Sequence, residues 1–140
     1  MPDFKPLSLM SAGPVAATAE PWTPLPYTDV PRYDGHTLHM HWPRLHAGHP
    51  LPPPAPGDPL AEGWALYHSG QCELAAAFGL AHGADGLLLA NQATAVYANY
   101  LEPRESVRLA MFRQVIERAG AQAQAGPDHC HALYWQSYAL

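Results

Sequence analysis

Histidine is the residue whose spacing first suggests chemistry. His36, His39, His41, His46 and His49 put five of the chain's nine histidines within fourteen residues. Neutral imidazoles suit Zn, Cu or Ni. A short strand at Thr37–His41 would point His39 and His41 to the same side. That gives one functional reading, a metal-handling protein. Against it, no cysteine or acidic residue stands at a fixed ligand spacing, so no cofactor is expected. His129-Cys130-His131 stands at an expected helix start, where the helix dipole lowers a thiol's pKa. Neighbouring side chains on a helix diverge by about 100°, so these residues make no ready nucleophile–base pair. The sequence has no Gly-rich phosphate loop, no Gly-x-Ser-x-Gly, no His-Glu-x-x-His and no calcium loop. A non-catalytic protein is expected.

Charge narrows the partners. Seven Lys and Arg stand against twelve Asp and Glu, a net charge of −5 over 140 residues. Nucleic acid needs a basic stripe. Here Arg104, Arg108, Arg113 and Arg118 alternate with Glu105 and Glu117, the pattern of a solvated helix face. Glu62, Glu73 and Glu102 read as exposed positions near helix ends. Two cysteines, Cys72 and Cys130, are too few for a disulfide framework. No apolar run of about 18 residues predicts a membrane span. The N-terminus has Lys5, the mildly apolar Leu7–Ala17 and the small-residue site Ala17-Thr18-Ala19. These features allow export as an alternative, but Asp3, Ser8, Ser11, Gly13 and Pro14 dilute the signal, and a cytoplasmic protein is the expectation.

These residues are positioned by two unlike regions. Fourteen of the sixteen prolines lie in residues 1–59. Proline removes a backbone donor and interrupts helix and sheet alike. Residues 1–58 therefore read as a Pro/His-rich extended arm, partly disordered, with Leu51–Pro56 a polyproline-like connector. Residues 59–140 read as helical. Asp58-Pro59 starts a helix to about Ser69, and Gly70 stops it. A second helix runs from about Cys72 to His82, with Leu74, Phe78 and Ala81 inward, and a turn follows at Gly83 to Gly86. A third runs from Leu87 to Leu101, with Leu89, Ala93, Val96, Tyr97 and Tyr100 inward. A fourth follows Pro103, with Leu109, Phe112, Ile116 and Ala119 inward, and a fifth begins near Asp128.

A stripe recurs on alternate helices. Ala61, Trp64 and Tyr67 return as Thr94, Tyr97 and Tyr100, and again as Ala132, Trp135 and Tyr138. A small residue lets backbones approach, and the two aromatics fill the gap between successive hairpins, which cannot shield that face alone. With Gly63, Gly70 and Ala75, the stripe resembles the tetratricopeptide-repeat family, in its divergent bacterial form, over residues 59–140. Departures are Gly79 and His82, where the family has a large aromatic and a small residue, and Pro103 at the second turn. The resemblance implies an all-α solenoid of antiparallel helix–turn–helix repeats with an irregular N-terminal arm. It further implies a scaffold that holds a protein or peptide, or a partner's helix, in a groove of first helices. Glu62, Tyr67, His68, Asn91, Thr94, Asn99 and Gln136 are expected to escape the core, with Asn91, Asn99, His68 and Gln136 the candidate partner-binding residues. The chain stops at Tyr138-Ala139-Leu140, one residue short of a turn like that at Gly70. This predicts a fragment of a longer array with an incomplete last repeat, or self-association through the uncapped last helix.

Overall fold

The computed structural model describes residues 20–48, 51–126 and 130–140. The leader-like stretch and the disorder expected of the N-terminus fall within residues 1–19, outside the described residues. His49, His129 and the expected start at Asp128 fall outside them too. The described residues form six helices and no strand: α1 Gly35–Leu45, α2 Leu60–His68, α3 Cys72–Ala81, α4 Gly83–Tyr100, α5 Glu105–Gln124 and α6 Cys130–Ala139. No helix among them is long and apolar enough to cross a membrane.

Helix α1 corrects the strand expected at Thr37–His41 and the extended, irregular arm expected around it. From Asp34 to Trp42 no proline intervenes, and the helix has a complete start signal. Asp34 Oδ1 accepts the N–H groups of His36 (3.0 Å) and Thr37 (2.8 Å), while Thr37 Oγ1 accepts the N–H of Asp34 (2.9 Å). That reciprocal capping box satisfies donors a strand would have left to a neighbour. Pro43 sits in the last turn, and the helix ends two residues later. Leu38 and Trp42 are buried, four residues apart, on the face turned to α2.

Helix α2 ends as Gly70 predicts. Gly70 takes a positive φ of 79°. Its N–H bonds the Tyr67 carbonyl, and the N–H of Gln71 bonds that of Leu66. This is a Schellman ending, which only a residue free of a Cβ adopts cheaply.

The hairpin of α3 and α4 departs from expectation at its turn. Asp85-Gly86 is not a turn: α4 starts at Gly83, four residues earlier than the sequence suggests. The reason lies across the interface. A Cβ on Gly79 would meet the Gly86 carbonyl oxygen at 2.5 Å, and one on Gly86 would meet the Gly79 oxygen at 1.9 Å. Two helical glycines thus let the backbones of α3 and α4 touch. The inward stripe of α3 is accordingly Cys72, Ala75, Ala76 and Gly79, while Leu74 and Ala81, expected inside, are exposed. On α5 the buried residues are Met111, Val115 and Ala119; Leu109 is exposed, and Phe112 and Ile116 are half-buried.

Each helix packs on the next in sequence, and α2 also touches α4 as α4 touches α6. The core consists of three aromatic-centred clusters. Trp42 and Trp64 meet edge to face at 5.7 Å between α1 and α2. Tyr97 packs with Cys72, Ala98 and Met111, and Trp135 with Ala95, Val115 and Ala139.

Residues 20–33 form neither helix nor strand and are held to α3, α4 and the segments that follow α2 and α4. Trp22 stacks on Tyr97 with ring centroids 4.4 Å apart. The N–H of Thr23 donates to the Tyr97 hydroxyl (2.7 Å), which donates to Glu102 Oε2 (2.7 Å). Tyr33 donates its N–H to Ser69 Oγ at 2.9 Å.

Candidate functional site

The repeated stripe divides in the structure. Its middle aromatics, Trp64, Tyr97 and Trp135, are 5%, 1% and 7% exposed and fill the gaps between helices. Its small residues Thr94 and Ala132 are buried, and Ala61 is half-buried. Its last aromatics behave otherwise. Tyr100 is 73% exposed, and Tyr67 and Tyr138 are half-buried. This corrects the expectation that both aromatics pack between hairpins. Three residues beyond the buried aromatic is about 60° around the helix. That rotation carries the side chain from the helix–helix seam to the rim.

These tyrosines converge. Burial pushes the Tyr67 hydroxyl's pKa up; the nearby Gln92 amide opposes the rise, while Cys72, Tyr138 and Tyr100 add to it. Burial likewise raises Tyr138, which faces the hydroxyls of Tyr100 and Tyr134 and the amide of Asn99. Tyr134 stands edge-on to Trp135 at 5.0 Å and lies 6.3 Å from Tyr138. One face of α2, α4 and α6 therefore gathers four tyrosines and two amides.

Beside this face lies a cavity of about 340 Å³, lined by Leu45, His46, Leu51, Tyr67, His68, Gln92, His131, Tyr134 and Trp135. None of these is an acid, a lysine or an arginine. The arm closes one end of it. His46 Nε2 and His68 Nε2 are 2.9 Å apart, and the His46 ring stacks on Trp42 at 3.8 Å. Two ring nitrogens that share a hydrogen bond hold one proton between them. Burial, aided by His46, lowers the His68 pKa to about 4, so the His68 ring is uncharged at neutral pH.

The candidate partner-binding residues are redistributed. His68 lines the cavity and Asn99 is exposed. Asn91 and Thr94, expected to be accessible, are each 1% exposed. Thr94 Oγ1 bonds the Ala90 carbonyl and accepts from Arg118 Nη2 (3.3 Å), so it belongs to the α4–α5 seam. Asn91, three residues before Thr94, shares that side of α4, and its buried amide has no hydrogen-bond partner. Gln136 is turned to α5, within 2.8 Å of where a Cβ on Gly120 would sit. The amide that does reach the cavity is Gln92, one residue from Asn91. Gln92, Tyr134 and Leu51 are the lining residues that sequence reasoning missed; the first two lie on the repeat helices, where the stripe's rim could have indicated them.

The histidines of the arm do not gather. On α1, His39 and His41 lie about 200° apart, which corrects the same-side geometry of a strand. His36, His39 and His41 are exposed. His46 is turned inward to His68, and His49 is outside the described residues. Among the described residues, no three His, Cys, Asp or Glu side chains are placed to hold a metal ion. Cys72 is buried, and its thiol is pushed up to about 11 by burial. Cys130 is exposed.

Two acid and base positions also differ from the solvated reading. Glu102 is 3% exposed. Its carboxylate accepts from the N–H (2.9 Å) and Nε (2.8 Å) of Arg104 and from the Tyr97 hydroxyl. The Arg104 hydrogen bonds, with Tyr97 assisting, hold its pKa near 2 against burial. Arg104, which also reaches Glu20, precedes α5 and ties the arm to the α4–α5 turn.

No family model, no curated protein and no solved structure matches the chain.

Proposed function

We propose that the chain is a non-catalytic scaffold of the tetratricopeptide-like type, whose α2, α4 and α6 present a groove to a peptide or to a partner's helix. In this reading α2 with α3, and α4 with α5, are successive helical hairpins, and α6 opens a third. The pattern of neighbours supports it: among the first helices, α2 touches α4 and α4 touches α6, and each second helix touches the first helix that follows. The observation that carries the function is the convergence of Tyr67, Tyr100 and Tyr138, which occupy one position of the stripe, on a face shared with Gln92 and Asn99. Tyrosine and amide side chains bind well from such positions. A ring brings large contact area at low entropic cost, and the hydroxyls and amides supply adaptable hydrogen bonds.

Selection of peptides from a random library against the full chain tests this reading. Selected peptides should shift NMR resonances of Tyr67, Gln92, Asn99, Tyr134 and Tyr138, and Tyr100→Ala should weaken them at least fivefold. Failure to select any peptide, or selection of peptides that perturb only the opposite face of α3 and α5, would remove the proposal.

A further inference from the structure

We infer that helix α1 is a pH-sensitive flap: protonation of both His46 and His68 frees it from α2 while the hairpins α2 to α6 stay folded. The inference goes beyond the groove proposed above and does not depend on it. It rests on how α1 is held, on what two facing imidazoles can bear, and on what holds the rest of the molecule.

The attachment comes first. Among the helices α1 packs on α2 alone, whereas α2 to α6 are each held by at least two others. Its grip has three parts. At one end the Gly35 N–H donates to Glu62 Oε1 at 3.2 Å. In the middle Leu38 and Trp42 are buried in the cluster that contains Trp64. At the other end His46, buried just beyond the helix, has its Nε2 2.9 Å from the Nε2 of His68, the last residue of α2. The segment before α1 is anchored separately. Thr23 donates to the Tyr97 hydroxyl and Tyr33 to Ser69 Oγ, through groups that do not ionise in mild acid.

The chemistry comes second. Across 2.9 Å one Nε2 must donate its hydrogen and the other must offer its lone pair. One added proton is compatible with this, because a charged donor ring still bonds a neutral acceptor. Two are not. Both nitrogens would then carry hydrogen, the bond would be lost, and two like charges would face each other where solvation is poor. The rings of Trp42, Trp64 and Tyr67 surround the pair. The titratable groups that face it are Tyr67 on α2 and, across the cavity, His131 and Tyr134 on α6. From α4 comes the Gln92 amide, and α1 itself carries Arg44, exposed, two residues from His46. None of these is a carboxylate that could balance a second charge. Separation of α1 from α2 relieves the repulsion by giving each imidazolium to water. Burial, with His46 beside it, holds the His68 pKa down to about 4 from the ordinary 6.5. Docking is therefore strongest above pH 6.5 and weakens as pH falls towards 4.

Two other places show why the loss is local. Asp34, which caps α1, is held below its usual carboxylate value by Thr37, so the cap is not what acid removes. Glu102, the buried acid at the α4–α5 turn, is held near 2 by Arg104 and stays ionised over the same range.

Hydrogen exchange of the full chain, read by NMR and corrected for the intrinsic effect of pH, tests this together with a ring titration of the histidines. Between pH 7 and 4.5, protection of the Leu38 and Trp42 amides should fall about tenfold, with its midpoint at the second proton of the pair. Protection of Ala93 and Tyr97 on α4 should stay within about twofold. His68→Gln keeps a neutral hydrogen-bonding side chain and should abolish the loss in α1. A comparable loss in α1 and α4 would show general acid unfolding and overturn the inference, as would α1 protection unchanged to pH 4.5. A loss that persists in His68→Gln, with α1 docked at pH 7, would overturn it too. If that variant undocks α1 already at pH 7, the wild-type titration decides. Release that coincides with the second proton supports the flap, and release that does not coincide overturns it.

Discussion

Tyr97 shows how one side chain ties distant parts of the chain together. Its ring carries Trp22, and its hydroxyl stands between the Thr23 N–H and the Glu102 carboxylate. Tyr97→Phe keeps the ring and removes the hydroxyl. It leaves a buried carboxylate one donor short and a backbone N–H unpaired, at a cost of about 1–3 kcal/mol. Denaturant melts of the two proteins should show that loss, and hydrogen exchange should show faster opening of residues 22 and 23. His68 makes a prediction in pH. Its folded pKa of about 4 lies below the ordinary 6.5, chiefly through burial. The stability of the neutral ring is therefore present above pH 6.5 and lost as pH falls towards 4. Stability should drop by about 1 kcal/mol between pH 7 and 5, after allowance for solvent screening. His68→Gln should flatten that dependence, whereas an unchanged pH profile in the variant would remove His68 as its source. The groups facing His68 are His46, Tyr67 and, across the cavity, His131 and Tyr134. At this scale the sequence was legible to within one residue. It marked an amide on the third repeat-region helix, but Asn91 and Gln92 differ by about 100° of rotation, and no periodic signal distinguishes the seam side from the groove side when Ala flanks both.

At the scale of elements, the existence of the helices after residue 59 was legible and their edges were not. Gly70 ended α2 where expected, because a lone glycine after an apolar run has one economical use. Gly83 and Gly86 carried the same local signal, yet only Gly83, with φ 60°, serves as a turn. Gly86 is helical because Gly79 on α3 needs room, a fact that lies in the tertiary contact and not in the local sequence. Gly86→Ala would drive a methyl into the Gly79 backbone, which has no side chain to move aside. It should destabilise by about 3 kcal/mol despite the better helix propensity of alanine, read from the shift of a urea melt. A stabilising effect would mean that α3 and α4 do not touch there. Helix α1 was missed because proline frequency outweighed a capping box. Asp34→Ala removes both accepted N–H bonds and should cost about 1 kcal/mol, measurable as loss of helical circular dichroism and of protection at Thr37 and Leu38.

For the whole molecule, the in-phase stripe was the strongest signal, and half of it was read correctly. Trp64, Tyr97 and Trp135 are buried between helices. The second aromatics were assigned to the same task, because spacing of three places residues on one side of a helix without saying where that side meets its neighbour. Their divergence gives the molecule two unlike layers, an apolar seam and a tyrosine rim. The arm was legible as a separate region by composition. Its docking on Tyr97, Ser69 and His68 depends on contacts spanning 22 to 74 residues, which no local pattern reports. Trp64→Ala, which empties the seam between α1 and α2, should cost about 3–5 kcal/mol and loosen the arm together with α2. Equilibrium melts with hydrogen exchange on residues 34–46 would record both effects.

The convergence of Tyr67, Tyr100 and Tyr138 is best tested by a nuclear Overhauser experiment on chain carrying ring-labelled tyrosine. Cross-peaks between Tyr138 and Tyr100, 38 residues apart in sequence, and from these rings to the Gln92 and Asn99 amides are the predicted result. Sharp, independent tyrosine signals with no such cross-peaks would contradict the shared face and, with it, the groove.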